Sequence, residues 1–245
     1  GNLWVNGEYI DKSELITDLS SNAAENLTWQ QVVVGDIPQH KSSQQMCELN
    51  TFYQTFKPVA VHKIDDESYV YDMGHAFVGF VEIDMPVVEK GKAVKIYYED
   101  FYLNNPGDFR EINTYTDVYV GDGESKGVFS NKFQYKAFRY LKIKGLDSAL
   151  DTSSITGRAI TTNYGGDSSF ECSDEDMNAI HNMIHKTVKA LTLGGYMVDC
   201  PHIERLGYGG DGNASTPTFQ TMFDVSPLYL NWLLAWSDCQ RENGD

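Results

Sequence analysis

Residues 163–177 read Asn-Tyr-Gly-Gly-Asp-Ser-Ser-Phe-Glu-Cys-Ser-Asp-Glu-Asp-Met, and the character of the chain changes across them. The first half of the stretch is a polar linker that contains two glycines. Ser173-Asp174-Glu175-Asp176 then has the pattern of a helix N-cap with an acid at the third helical position. Acidic residues in a first helical turn also suit the helix dipole. The stretch therefore predicts a boundary between two kinds of structure.

The residues after this boundary show helical periodicity. Apolar side chains recur at spacings of three and four, which places them on one face of a helix: Met177, Ile180, Ile184, Val188 and Leu191. Gly194-Gly195 can end that helix. Residues 227–239 read as a further helix, on which Trp232 and Trp236 are expected in the core. The chain after the boundary is predicted to be all-α.

The residues before the boundary show the period of two that is typical of β-strands. The clearest alternating runs are 78–83, 94–99, 115–120 and 138–143. Gly121-Asp122-Gly123 is a turn signal after one of them, and Val32-Val33-Val34 is another candidate strand. Many short strands separated by turns favour an antiparallel sandwich or barrel.

Composition narrows the range of partners. The chain has 245 residues and a formal net charge of −16, so a phosphate backbone or an anionic membrane surface would be repelled. The chain contains no run of eighteen apolar residues, so the sequence does not predict a transmembrane helix. A neutral ligand such as a carbohydrate is compatible with this charge, although the charge can equally serve solubility alone.

The four cysteines give no metal-binding pattern. They lack the Cys-x-x-Cys or Cys/His spacings of zinc sites, and we expect buried free thiols and no metal. The first residues show no basic region followed by an apolar stretch, so a signal peptide is not expected among them.

Residues 199–211, Asp-Cys-Pro-His-Ile-Glu-Arg-Leu-Gly-Tyr-Gly-Gly-Asp, concentrate chemically active side chains in a predicted loop between helices. Glycines let the backbone come close to a ligand, and the carboxylates can move protons or bind hydroxyl groups. One interpretation makes Glu204 a proton donor and Asp199 and Asp211 sugar binders. The other makes the two aspartates helix caps and pairs Glu204 with a surface base. The residues alone favour the second, because loop carboxylates are common.

The same stretch also resembles the active-site motif of the bacterial α-L-rhamnosidases, glycoside hydrolase family 78. The resemblance rests on Asp-Cys-Pro, Glu-Arg-Leu-Gly, an aromatic residue and Gly-Asp in this order. In that family the motif lies in an (α/α)6 toroid that follows β-sandwich domains. Weaker likenesses extend from about residue 58 to 245, at residues 71–79, 133–140 and 240–244.

The resemblance implies a multidomain fold, β then α, in which an antiparallel β-sandwich is followed by the first helices of an (α/α)6 toroid. Residues 1–57 would be the tail of a preceding β region and a linker. Residues 58–165 would form the β-sandwich domain, and residues 166–245 the truncated N-terminal part of the catalytic domain.

Individual roles follow from the same resemblance. It makes Glu204 the catalytic general acid, and it makes Asp199 and Asp211 ligands of rhamnose hydroxyl groups. Tyr208 stands where the family usually has a tryptophan that lines the sugar subsite, and Arg205 is placed with the substrate-binding residues. Many members carry an arginine between Asp-Cys-Pro and Glu-Arg, a role that here is vacant or taken by His202.

The implied activity is inverting hydrolysis that releases terminal α-L-rhamnose from glycans or glycosides, without a metal or organic cofactor. The family's general base would fall beyond Asp245, so this chain is expected to be inactive without the remaining part of the same polypeptide. A periplasmic or secreted bacterial location is expected. Two alternatives remain open: an inverting toroid glycosidase of different sugar specificity, and a non-catalytic carbohydrate-binding protein.

Overall fold

The computed structural model describes residues 7–15, 30–37, 39, 42–101, 103–111 and 115–244. The strands are β1 Tyr9–Asp11, β2 Asn50–Phe56, β3 Ala60–Lys63, β4 Ser68–Met85, β5 Ala93–Glu99, β6 Asp117–Val120, β7 Gly127–Ser130, β8 Lys136–Lys144, β9 Ile155–Thr162, β10 Thr192–Leu193 and β11 Tyr196–Met197. The helices are α1 Glu175–Leu191, α2 Gly209–Met222 and α3 Ser226–Cys239. The first residues of the chain, on which the expectation about a signal peptide rests, lie outside the described ranges.

The predicted change from strands to helices is confirmed. In the part of the chain that the structure describes, nine strands before the boundary form one sheet in the order β1-β6-β5-β8-β4-β9-β2, and β3 and β7 also pair with β4. Among these described strands, every pair is antiparallel except β1 with β6. Because β1 and β2 belong to this sheet, part of the segment 1–57 packs with the strands that follow it. The division into three domains stays a prediction.

Strand β4 organises the β-domain, by which we mean the nine-stranded sheet and its connections. Its first part pairs with β3, its second part pairs with β9 and β7, and β8 pairs with both parts. The register with β8 shifts between Asp72 and Phe77, where Gly74 has a φ of +79° that favours glycine. An irregularity of this kind bends a strand, and residues of both parts of β4 belong to one buried apolar core.

A fully buried ion pair lies inside this β-domain. Lys136 Nζ is 3.0 Å from Asp117 Oδ1, and both side chains are almost completely inaccessible to solvent. The same carboxylate also accepts hydrogen bonds from the Glu8 N–H, the Tyr98 hydroxyl and the Asn131 amide. Burial lowers the pKa of Lys136 and the Asp117 charge opposes that shift, so the pair is stable only with all of its partners present.

The helical segment differs in detail from its prediction. The N-cap of α1 is Asp174, whose carboxylate accepts from the Asp176 and Met177 N–H groups, so the helix begins one residue later than a Ser173 cap implies. Gly194 and Gly195 have positive φ values and form the turn of the β10–β11 hairpin, the geometry expected for a two-residue hairpin turn.

Among the helices in the described ranges, α2 is the one that the sequence pattern did not predict. Its range contains three glycines and Pro217, residues that disfavour helix. The hydroxyl groups of Ser215 and Thr216 bond to the carbonyl oxygens of Asp211 and Gly212 within the helix. Close packing also stabilises α2 at Gly212, where a Cβ atom would lie 2.5 Å from the Trp232 ring.

The helical segment docks on the sheet through a shared apolar cluster. Val78, Ile160 and Leu193 are buried together there, with Ala190 of α1 packed against them. The Gly194 N–H also donates to the side chain of Asn50 at 3.0 Å. The hairpin after α1 is therefore fixed on the β-domain, and the chain that follows it starts from a defined position.

Three expectations about individual residues are wrong. Val32-Val33-Val34 is not a strand and is almost fully exposed. Trp236 is 39% exposed, unlike Trp232, which is buried as expected. The four cysteines are free, as predicted, but none is buried, since each lies in a loop or at a helix end that the core does not cover. No helix in the described ranges is long and apolar enough to cross a membrane.

We predict that Asp117→Ala destabilises the protein strongly. The substitution leaves the Lys136 ammonium buried without its counter-charge, a situation that costs about 3–5 kcal/mol in free energy of unfolding. Urea denaturation followed by circular dichroism measures the loss. Asp66→Ala is the matched control, because it removes an exposed aspartate that pairs with Lys63 and should leave the midpoint nearly unchanged. Equal effects from both variants would contradict this account of the core.

Candidate active site

The stretch 199–208 forms a closed loop between β11 and α2, which we call the acidic loop. The Asp199 N–H donates to the Leu206 carbonyl oxygen at 2.9 Å, and the Leu206 N–H donates back to Asp199 Oδ1 at 2.9 Å. The Arg205 N–H also donates to the Cys200 carbonyl oxygen. These bonds tie the two ends of the loop together, so the side chains between them are held close to one another.

Two backbone features make this closure possible. Arg205 has a φ of 59°, the single positive value among the described residues other than glycine. Such a conformation is costly without compensation and is often found at functional sites. Gly207 lies so close to the helical segment that a Cβ atom would be 2.8 Å from Trp232 Nε1 and 2.9 Å from the Tyr196 ring. The loop therefore needs glycine at this position to sit against α3.

The central feature of the loop is the closeness of the Asp199 and Glu204 carboxyl groups, which have oxygen atoms within 4.8 Å of each other. Hydrogen bonding with Asp199 and the Asp199 charge raise the pKa of Glu204, with smaller contributions from burial and from Asp211. Burial would raise the pKa of Asp199, but hydrogen bonding with Glu204, the Cys200 thiol and the Leu206 N–H lowers it. Of the two acids, Glu204 is therefore the one that keeps its proton to higher pH.

Cys200 forms hydrogen bonds with both acidic residues. Its thiol donates to Asp199 Oδ2 at 3.1 Å, and its sulfur accepts the Glu204 N–H at 3.3 Å. Burial is the main reason that the pKa of this thiol is raised, and its hydrogen bond to Asp199 adds to the shift. Asp199, Cys200 and Glu204 are also the one group in the described ranges whose donor atoms are close enough to hold a cation. Exposed acids often cluster without a metal, and no further feature of the loop requires one.

Tyr208 and Asp211 lie where the loop meets α2. Tyr208 is the N-cap residue of this helix, and its exposed ring borders the acids, whose charges contribute after burial to its raised pKa. Asp211 lies in the first turn, where a carboxylate interacts favourably with the helix dipole. The alternative in which Asp199 caps a helix does not hold, because its carboxylate binds groups inside the loop.

Arg205 points away from the acids. Its guanidinium lies 4.3 Å from the ring centroid of Tyr135 and 6.0 Å from that of Tyr115, both in the β-domain. Its Nε donates to the Pro201 carbonyl oxygen. The geometry gives Arg205 a packing contact, and its predicted place among the substrate-binding residues stays a prediction.

The sequence reasoning missed the β-domain residues that contact this loop. His202 Nδ1 is 3.4 Å from Asp100 Oδ2 at the end of β5, and the Tyr115 hydroxyl is 3.5 Å from the Ile203 carbonyl oxygen. No local sequence signal joins residues about one hundred positions apart. Only the path of the sheet brings them to the loop.

Comparison with known proteins agrees with this arrangement of fold and site. Residues 62–161 match the family model of the bacterial α-L-rhamnosidase concanavalin-like domain, and residues 166–245 match that of the bacterial α-L-rhamnosidase 6 hairpin glycosidase domain. The two models together match most of the chain, and it belongs to the bacterial α-L-rhamnosidase family.

Individual relatives carry the same name. The chain is 28% identical over 190 residues to an α-L-rhamnosidase of Formosa agariphila, a match that covers 74% of this chain and 20% of the relative. The structure of an α-L-rhamnosidase from Dictyoglumus thermophilum covers 99% of this chain with a TM-score of 0.87 at 25% identity, and 28% of that protein is matched. The structure of a Streptomyces avermitilis α-L-rhamnosidase complexed with L-rhamnose matches with a TM-score of 0.73 at 24% identity. This match covers 81% of this chain and 19% of that protein.

The chain therefore spans about a fifth of the length of the curated relatives it matches. The likeness to known structures confirms the predicted order of a β-domain followed by the early helices of a toroid.

We predict that Cys200 reacts more slowly with iodoacetamide at pH 7.5 than the exposed Cys172 and Cys239. Its raised thiol pKa keeps the reactive thiolate scarce, so its alkylation rate should keep rising above pH 8.5. Mass spectrometry of peptides from a time course measures each rate. Asp199→Asn removes the charge that contributes to the raised pKa and should speed alkylation of Cys200 alone. If Cys200 is as reactive as the exposed thiols in the unmodified protein, the described bonds of the thiol are wrong.

Proposed function

We propose that this chain carries the acid side of the catalytic site of an inverting α-L-rhamnosidase. The observation that carries the proposal is the pair Asp199–Glu204, whose carboxyl oxygen atoms lie within 4.8 Å of each other and in which Asp199 raises the pKa of Glu204. A general acid must hold its proton near the working pH. An exposed glutamate without such a partner would be ionised at neutral pH.

The reaction assigns a separate task to each group. Glu204 gives its proton to the glycosidic oxygen as the bond from that oxygen to the anomeric carbon breaks. A water molecule adds to the opposite face of the sugar and gives its proton to a general base. Asp199 and Asp211 accept hydrogen bonds from sugar hydroxyl groups, and the exposed ring of Tyr208 covers an apolar face of the sugar.

The base of this reaction is not Asp199. An inverting enzyme needs about 6.5–9.5 Å between its two carboxyl groups to make room for the water. Asp199 and Glu204 have oxygen atoms within 4.8 Å of each other, which is too close for this arrangement. We therefore propose that the base comes from residues outside this chain and that the chain alone does not hydrolyse rhamnosides.

Rhamnose as the substrate is supported by the names of the relatives. All four curated matches are called α-L-rhamnosidase, and the matched Streptomyces avermitilis structure is a complex with L-rhamnose.

We predict that Glu204→Gln separates catalysis from binding. Placed in a protein that joins this chain to a complete catalytic domain, the variant should lose about 10²–10⁴-fold in hydrolysis of an aryl α-L-rhamnoside, because the amide cannot supply the proton. Affinity for L-rhamnose, measured by isothermal titration calorimetry, should stay within about threefold, since glutamine keeps the shape and polarity of the side chain.

Each rival outcome has its own signature. Unchanged hydrolysis in Glu204→Gln removes the acid role. Cleavage of a different aryl glycoside, with no action on the rhamnoside, indicates a toroid glycosidase of other specificity. Sugar binding without any hydrolysis by the unmodified, extended protein indicates a carbohydrate-binding protein. Glu175→Gln, in the first turn of α1 and away from the loop, is the matched control and should change neither quantity.

A further inference from the structure

The acidic loop rests on the β-domain on both sides of Glu204. His202, two residues before it, contacts Asp100, and Arg205, one residue after it, lies on the Tyr135 ring. Tyr115 meets the loop between these two contacts, at the Ile203 carbonyl oxygen. Glu204 itself therefore sits on a short segment that is pinned at each end by a different part of the sheet.

Asp100 is available for this contact because its charged neighbours are already paired. Glu99, the preceding residue, holds Arg110 through two short hydrogen bonds of 2.7 and 2.8 Å. Arg110 also lies 4.3 Å over the Phe101 ring, which makes an edge-to-face contact with the His202 ring. The half-buried Asp100 carboxylate lies 3.4 Å from His202 Nδ1. The imidazole can donate its Nδ1–H when neutral and forms an ion pair when protonated.

The second contact is built differently. The Arg205 guanidinium lies close over the Tyr135 ring and farther from the Tyr115 ring. Burial raises the pKa of Tyr135 to about 12, and the Arg205 charge opposes the shift. Stacking of a partly desolvated guanidinium on an aromatic face is favourable. This contact compensates the positive φ of Arg205 and so holds the backbone turn that follows Glu204.

We propose that Asp100 is a positioning residue of the catalytic site: through His202 it anchors the acidic loop on the β-domain and so fixes where Glu204 presents its proton. That the anchored site is catalytic rests on the proposed function. The anchoring of the acidic loop on the β-domain does not. The β-domain then contributes to the geometry of the active site. In a catalytic domain without it, the position of Glu204 would be less well ordered.

Hydrogen exchange of the chain as it stands tests the anchoring. The amides of Arg205 and Leu206 close the loop by bonding to Cys200 and Asp199, so their exchange reports its opening. In Asp100→Ala we expect both amides to exchange about tenfold faster. The buried Val81 amide, which donates to Asn131, should keep its rate. A general loss of stability would instead accelerate all of them.

A double-mutant cycle assigns the effect to the contact. His202→Ala should accelerate the same two amides, and the double variant should add little to either single change, because both remove one interaction. Asp147→Ala is the matched control, since it removes an aspartate that pairs with Lys92 on another surface. Unchanged exchange at Arg205 and Leu206 in Asp100→Ala, or effects of the two substitutions that simply add, would overturn the proposal.

A binding measurement separates this proposal from the proposed function. With the loop loosened, affinity of the chain for L-rhamnose should fall about threefold to tenfold in Asp100→Ala. If the unmodified chain does not bind L-rhamnose while the exchange results are as expected, the anchoring stands, and the proposal that the residues of this chain bind the sugar by themselves is wrong. If the chain binds L-rhamnose with the same affinity in both forms, Asp100 does not position the site.

Discussion

The closeness of the Asp199 and Glu204 carboxyl groups, whose oxygen atoms lie within 4.8 Å of each other, gives the acidic loop its chemistry. Two carboxylates this close repel each other, so the charge of one raises the pKa of the other. The raised pKa belongs to Glu204 because the Cys200 thiol and the Leu206 N–H bind the ionised form of Asp199. The remaining features of the site serve to keep these two groups in contact and open to a ligand.

Holding such a pair requires a rigid support, since like acids separate in a flexible loop. Arg205 adopts a backbone conformation that is unfavourable by itself, and its stacking on Tyr135 compensates it. On the other side, Gly207 lets the loop approach Trp232 of α3. The support therefore comes from the sheet before the loop and from the helix after it, and neither domain alone builds the site.

Local patterns were enough to predict several of the regular elements. The period-two runs at 78–83 and 138–143 became parts of β4 and β8, and the apolar spacing of 177–191 became α1. Helix α2 was missed because its glycines and Pro217 have poor helix propensity, and the packing of Gly212 against Trp232 overrides that preference.

Local sequence patterns also predicted only the part of the site that is contiguous in the chain. The residues of the acidic loop are contiguous, so a motif could place Asp199, Glu204 and Asp211 together. The partners of the loop, Asp100 and Tyr135, reach it only through the path of the sheet, and no spacing in the sequence records that path.

The measurement closest to the central claim is a ¹³C NMR titration of the side-chain carboxyl carbons of this chain. If Asp199 and Glu204 share one proton, Glu204 should titrate clearly above the ordinary glutamate value of about 4.3 and Asp199 below the ordinary aspartate value of about 3.9. Each signal should also respond to the titration of the other group. Two independent transitions at ordinary values would mean that the carboxyl groups are not in contact, and the assignment of Glu204 as a protonated acid would fail.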